Sequence, residues 1–225
     1  MVKDLIVVGS GGVDIIKLIE DINSEKKIYN FLGFLEKDES KIGQDIYGYP
    51  IIGNDDLLLN KLSHCAVINN VMHTTRIHEK TTNKLIEHYH ISDFPNLIHP
   101  EIDLRGVEIG IGNIIYKDCR FSIGDKIGDF NIMYSATVGH ESIIGNYNLL
   151  AKTSVCSRVK IGSYNLIGNS TTLANTVRLG DDNEVGVGSV VMKNYKNGYH
   201  LLGYPAIEIE DFVKKYMRKN LNKKI

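Results

Sequence analysis

In the carboxyl half of the chain, apolar positions recur every six residues. They fall at Ile109, Ile115, Phe121 and Ile127, then at Ile132, Val138, Ile144, Leu150 and Cys156, then at Ile161, Ile167, Leu173, Leu179, Val185 and Val191. Five-residue steps, 127 to 132 and 156 to 161, join the three registers. A half-buried strand repeats every two residues and an amphipathic helix every 3.6, so neither produces this spacing. Short parallel strands separated by turns do. Three hexads make one triangular coil of about 18 residues, with the repeated aliphatic side chain in a narrow core and small or polar residues at the corners. Glycine follows several of the apolar positions at once, among them Gly110, Gly128, Gly145, Gly162, Gly168 and Gly180. The interval 109–191 predicts roughly four to five coils.

The amino half has a different pattern. The run KDLIVV over 3–8 meets Gly9-Ser10-Gly11-Gly12, and the following segment places Ile15, Leu18, Ile19 and Ile22 at helical spacing, so strand, glycine turn and helix succeed one another. Glycines permit close backbone approach, and amides at a helix start can hold a phosphate; GxGG equally satisfies a purely structural turn. The full GxGxxG is absent, because Asp14 stands where its third glycine belongs, which argues against a dinucleotide enzyme. Further strands are predicted at FLGFLE (31–36), YPII (49–52) and HCAVIN (64–69). Helices are predicted from Asn54-Asp55-Asp56 onward and over about 75–90. The alternation predicts a compact βαβ domain over residues 1–95. Gly9, Ser10, Gly11, Gly12, Asp14, Glu36, Lys37 and Asp38 would lie near strand ends, where a parallel sheet opens its ligand crevice. For each charged residue among them a solvated surface is the alternative.

The composition changes between Phe94 and Pro100, which marks the boundary. The 225 residues carry 43% hydrophobic side chains, ordinary for a folded core, and 26 basic against 27 acidic residues, which argues against a general grip on nucleic acid. Cys65, Cys119 and Cys156 are scattered and odd in number, arguing against a disulfide scaffold and for a reducing compartment. The start lacks the basic and long apolar regions of a secretory signal, and no run approaches a membrane span, so a cytoplasmic location is expected. His64, His73, His78, His88, His90, His99 and His200 form no HExxH or regular ligand cluster, so no metal is expected.

VVGSGG at 7–12, GFLE at 33–36, NLIHP at 96–100, VGHESIIGNY at 138–147, VGVGSVV at 185–191 and LGYPA at 202–206 together resemble the bacterial hexapeptide-repeat sugar O- and N-acyltransferases. The nearest resemblance is to the sialic-acid O-acetyltransferase and nucleotide-amino-sugar N-acetyltransferase group. The resemblance implies an α/β plus β-solenoid fold. A small Rossmann-like nucleotide-sugar-binding domain (1–95) precedes a left-handed parallel β-helix acyltransferase domain (96–206) and a short C-terminal helix and tail (207–225). It implies a homotrimer holding acetyl-CoA between adjacent β-helices. It assigns His140 as general base with Glu141 orienting it, and Gly168, Ala174, Gly186 and Gly188 to the coenzyme side. An imidazole suits removal of a proton from an attacking amine near neutral pH. On a regular strand Glu141 would face away from His140, so it helps only through a local turn or an interface.

Three departures bear on the acceptor and the coenzyme. Gly12-Val13-Asp14 replaces the family's Gly-His-Ala, Leu149 stands where many relatives carry a second histidine, and Ala151-Lys152-Thr153-Ser154 replaces Ala-Pro-Gly-Ala. The tail places Phe212, Val213, Tyr216, Met217 and Leu221 on a rough helical stripe. Its bases Lys214, Lys215, Arg218, Lys219, Lys223 and Lys224 form a solvated face or attract phosphates. The expected activity is acetyl transfer from acetyl-CoA to the amine of a nucleotide-linked amino sugar. O-acetylation of a sialic-acid-like sugar, and a non-catalytic scaffold, are the alternatives.

Overall fold

The computed structural model describes residues 2–204 and 207–213. The chain divides into two compact units, Met1–Glu101 with Ile111–Tyr116, and Ile102–Gly110 with Lys117–Ile225.

The first unit is built on five strands: β1 (Lys3–Val8), β2 (Tyr29–Leu35), β3 (Asp45–Ile46), β4 (Tyr49–Gly53) and β5 (Ala66–Asn69). Their order is β3-β4-β2-β1-β5, parallel except for β3 against β4. Leu5, Ile6, Val7 and Val8 are all buried, the continuous apolar run of a central parallel strand. Helix α1 (Asp14–Asn23) buries Ile15, Ile16, Leu18, Ile19 and Ile22. Helix α2 (Thr75–Glu87) is capped by Thr74, whose hydroxyl accepts from the Ile77 amide, and ends before His90, which is in the left-handed region at φ 55. In the same unit Leu97–Ile98 pairs with Ile114–Ile115.

Two features of this unit differ from the expectation. The segment after Asn54 is a short 3-10 helix, Asp55–Leu59, in which Asn54 accepts from the Asp56 amide. Consecutive leucines give no stripe at helical spacing, and only Leu58 is fully buried while Leu59 is exposed. β3, unforeseen, closes a hairpin through Tyr47 and Gly48, both at positive φ (49 and 91).

The second unit is a parallel β-helix of three strand stacks. Face 1 consists of Glu108–Ile109, Lys126–Ile127, Ile143–Ile144, Lys160–Ile161 and Arg178–Leu179. Face 2 contains Ile132–Tyr134, Leu149–Ala151, Leu166–Ile167, Glu184–Val185 and His200–Leu202. Face 3 consists of Thr137–Val138, Ser154–Val155, Thr172–Leu173 and Val190–Val191. Each face projects one aliphatic residue per strand inward, buried in every strand but Glu108–Ile109, as the six-residue pattern requires.

The register corrects that pattern at two places. Met133, not Ile132, aligns with inward Leu150, and Val155, not Cys156, aligns with inward Val138 and Leu173. The five-residue steps therefore run from Met133 to Val138 and from Leu150 to Val155, both at the corner between faces 2 and 3.

The corner between faces 1 and 2 explains the glycines. A Cβ on Gly145 would lie 2.6 Å from the Gly162 carbonyl oxygen, and one on Gly162 would lie 2.7 Å from the Gly180 carbonyl carbon. Here the coils stack backbone on backbone. Just beyond, Asn131, Asn148, Asn165 and Asn183 form a buried ladder: each side-chain oxygen accepts the next asparagine's backbone and side-chain N–H at 2.8 to 3.0 Å. Outside it, Phe130 stacks on Tyr147 at 5.2 Å and Tyr147 on Tyr164 at 5.5 Å.

After Ile207–Glu208, antiparallel to His200–Leu202, comes the short helix α3 (Ile209–Phe212), whose first amides bond to Glu208. The rest of the expected tail stripe and its six bases, with Pro205 and Ala206 of the LGYPA segment, lie outside the described residues.

Candidate functional site

His140 and Glu141 stand at the corner between faces 3 and 1. Glu141 has φ 59, so the chain reverses there, and the two side chains converge instead of alternating. His140 Nδ1 is 3.4 Å from Glu141 Oε2, and the imidazole is 54% exposed. This is the local turn that an orienting carboxylate requires. The backbone fixes it closely: the Glu141 amide donates to Ile123 O at 3.3 Å, the Arg158 amide to His140 O at 2.9 Å, and the Ser142 hydroxyl to Gly139 O at 2.7 Å. Gly139 is needed here, since its Cβ would meet the Ser157 amide at 2.8 Å.

Two corners divide the residues expected to face coenzyme. Ala174 shares the His140 corner, its amide bonded to Val191 O. Gly168, Gly186 and Gly188 lie at the corner between faces 2 and 3. Face 3 connects the two corners, and its outward side chains Thr137, Ser154, Thr172 and Val190 are all small. Packing already accounts for two of the glycines: a Cβ on Gly168 would meet Val185 O at 2.9 Å, and one on Gly186 would meet Leu202 Cδ1 at 2.6 Å. Gly188 faces open space but has φ +70. Leu149 projects from face 2, away from the His140 corner. Cys119 is buried, which pushes its thiol up to about 11 and makes it a poor nucleophile. A shallow depression of about 360 Å³ lies along face 1 between Glu108, Lys126 and Ile143, and His140 does not line it.

In the first unit, the glycine turn sits at the carboxyl edge of the parallel sheet. Gly9 is required by its φ of +92 and by Val71, whose Cγ2 a Cβ would approach to 2.6 Å; Gly12 packs on Asn70. Gly11 is different: a Cβ there would meet nothing within 4 Å. Glu36, following β2, accepts the Ser10 hydroxyl at 2.6 Å, the Ser10 amide at 3.3 Å and the Lys37 amide at 2.9 Å. Burial works against its charge, but the Ser10 donors, the Lys37 amide and Lys41 outweigh burial and hold the carboxyl below its ordinary value. Asp14 is exposed in the first turn of α1, whose N-cap Val13 offers no side-chain bond, so no side chain caps the helix start. The Lys37 side chain is exposed, and only its amide joins the cluster.

Sequence reasoning missed Asn70, a buried residue following β5 whose Nδ2 donates to Gly9 O at 3.2 Å and Gly12 O at 3.1 Å, clamping the glycine turn. Its signal was the Asn-Asn pair closing the HCAVIN strand. Among the described residues no group of three His, Cys, Asp or Glu side chains is arranged to hold a metal, and no helix is long and apolar enough to cross a membrane.

No protein-family model and no curated protein matches the chain. Solved structures do. The acetyltransferase domain of PglB from Neisseria gonorrhoeae is 23% identical, with 92% of this chain and 99% of that chain covered at a TM-score of 0.79. A variant of perosamine N-acetyltransferase from Caulobacter crescentus, in complex with CoA and GDP-perosamine, is 21% identical over 92% and 97% at 0.80. WeeI from Acinetobacter baumannii is 21% identical over 91% and 98% at 0.66. Over nearly its whole length, the chain therefore has the fold of the PglB acetyltransferase domain and of perosamine N-acetyltransferase.

Proposed function

We propose that this protein is an acetyl-CoA-dependent N-acetyltransferase that acts on the amino group of a nucleotide-linked amino sugar, with His140 as general base. The observation that carries the reading is the half-exposed imidazole held against Glu141 on a corner tied by hydrogen bonds to the neighbouring coils. That corner belongs to a β-helix whose whole-chain likenesses include two structures named as acetyltransferases. With Nδ1–H directed to Glu141, Nε2 is the free acceptor. The amine gives its proton to Nε2 as its nitrogen bonds to the acetyl carbon; the carbon–sulfur bond then breaks, the sulfur takes that proton from Nε2, and CoA leaves as the thiol. The small side chains of face 3, with Ala174 at one border and Gly168, Gly186 and Gly188 at the other, suit an extended pantetheine arm.

The first unit, in this reading, is a Rossmann-like domain (1–95) that holds the nucleotide sugar. Gly11 supports this, because neither its backbone angle nor its packing requires a glycine, whereas close approach by a phosphate does. Gly9, Ser10, Gly12, Asp14, Glu36 and Lys37 complete the crevice. The β-helix (96–206) is left-handed and assembles as a cytoplasmic homotrimer, with acetyl-CoA between adjacent β-helices. The complex of perosamine N-acetyltransferase with CoA and GDP-perosamine supports both ligand classes.

The test is mass spectrometry after incubating the protein with acetyl-CoA and a panel of nucleotide-linked 3-amino and 4-amino sugars beside their matched hydroxy sugars. A product heavier by one acetyl group on nitrogen supports the reading. Product only from hydroxy sugars replaces it with O-acetylation, and failure to bind acetyl-CoA by an intact assembly replaces it with a scaffold.

A further inference from the structure

Beneath the His140 corner lies a carboxylate that the coil itself does not require. Val107, Asp125, Ser142, Val159 and Val177 hold the same corner position in successive coils: the amides of Glu108, Lys126, Ile143 and Lys160 donate to the carbonyls of Asp125, Ser142, Val159 and Val177. Valine fills this position three times and serine once, so the fold accepts an apolar or a hydroxyl side chain there. Only the coil directly before His140 places an acid in it, fully buried.

Asp125 uses both oxygens. Oδ2 accepts the Ser122 amide at 2.7 Å within its own turn, and Oδ1 accepts the Ser142 amide at 3.0 Å in the next coil, immediately after Glu141. Two accepted bonds and no donated one is the pattern of an ionised carboxylate. The bond to Ser142 is the tie by which the side chain of the preceding coil holds the 139–142 turn. Burial outweighs the two amides and the charge of His140 and holds the Asp125 carboxyl above its ordinary value. The other charged groups around the corner are Glu141 beside His140, Arg158 one coil on, and Lys126, which is paired with Glu108 at 2.9 Å.

We propose that Asp125 is a positioning residue for the base. Anchored by the Ser122 and Ser142 amides, it fixes the His140–Glu141 turn and so the direction from which the imidazole meets the acceptor's proton. The catalytic part of this inference rests on the acetyl-transfer reading above; the coupling of Asp125 to His140 does not.

The test uses the full chain with Asp125→Asn and Asp125→Val, the second being the residue this position already holds in other coils. Diethyl pyrocarbonate modification of His140 is followed against pH by peptide mass spectrometry, with His64 and His200 as internal controls. With the turn released, the rate of modification at His140 changes by about threefold across the pH series. The controls stay unchanged. In turnover assays kcat falls about tenfold while KM for acetyl-CoA holds. An unchanged His140 profile in a folded variant overturns the proposal. Should both variants lose their circular dichroism transition, Asp125→Ser, the residue of the next coil, replaces them. If the wild-type protein transfers no acetyl group, the functional reading fails, and the modification profile still decides whether Asp125 acts on His140.

Discussion

Asn148→Ala measures what the asparagine ladder contributes. The side chain is fully buried: its oxygen accepts the Asn165 amide at 2.8 Å and Asn165 Nδ2 at 3.0 Å, and its own Nδ2 donates to Asn131 Oδ1 at 3.0 Å and Gly162 O at 2.9 Å. Truncation does not orphan all of these partners. Asn131 Oδ1 keeps the Asn148 backbone amide at 2.9 Å, and Asn165 Nδ2 keeps Ser163 O at 3.2 Å. The Asn165 backbone N–H loses this acceptor in the interior, where no water replaces it. A buried donor left unpaired costs about 1 to 3 kcal/mol, and the void left by the amide adds to it, so the expected destabilisation is about 3 kcal/mol. Urea unfolding followed by circular dichroism reads the loss as a lower midpoint with an unchanged slope. Hydrogen exchange localises it, with the Asn165 amide exchanging about 100-fold faster. A loss under about 1 kcal/mol with unchanged exchange at Asn165 would refute the ladder as a source of stability.

Three further outcomes are expected. His140→Ala lowers turnover by about 100-fold or more, with solution mass and melting temperature preserved because the imidazole is half exposed; turnover assays beside light scattering check both. Gly145→Ala forces a methyl group against the Gly162 carbonyl and costs about 2 kcal/mol or more in unfolding free energy, whereas Gly11→Ala enters open space, leaves stability unchanged and weakens nucleotide-sugar binding in calorimetry. Glu36→Gln destabilises the protein at neutral pH. The Glu36 carboxyl is held below its unfolded value, so its contribution is present above that value and is lost as pH falls through the folded one. Wild type and variant therefore converge in stability at acid pH in a series of thermal melts.

The β-helix was legible because its spacing matches no other regular structure, and the glycines marked where the coils stack. The register was less legible. Ile132 and Met133 are both apolar and both buried, and Val155 and Cys156 are both residues at home in a core, so the period alone could not choose between them. Pairing with Leu150 and Leu173 decides. The ladder had a signal that went unread: asparagine recurs at 131, 148, 165 and 183, each time four residues after an inward aliphatic. His140 and Glu141 were legible as residues, but their convergence was not, since it depends on a left-handed backbone at Glu141 that no side-chain pattern encodes. Asn70 was hidden because its role is to hold a turn more than 50 positions away, at Gly9 and Gly12.

The shortened sides from Met133 to Val138 and from Leu150 to Val155 leave the pairing on all three faces in step. One corner therefore works as an expansion joint: chain length changes there while the core below is passed unchanged from coil to coil. Loops grafted at Ser135 or Lys152, the left-handed residues of these two turns, would alter the border of face 3 opposite His140 without disturbing the frame. The shape of that border and the stability of the stack are thus separable in this architecture, the first adjustable at a single edge and the second stored in the coils.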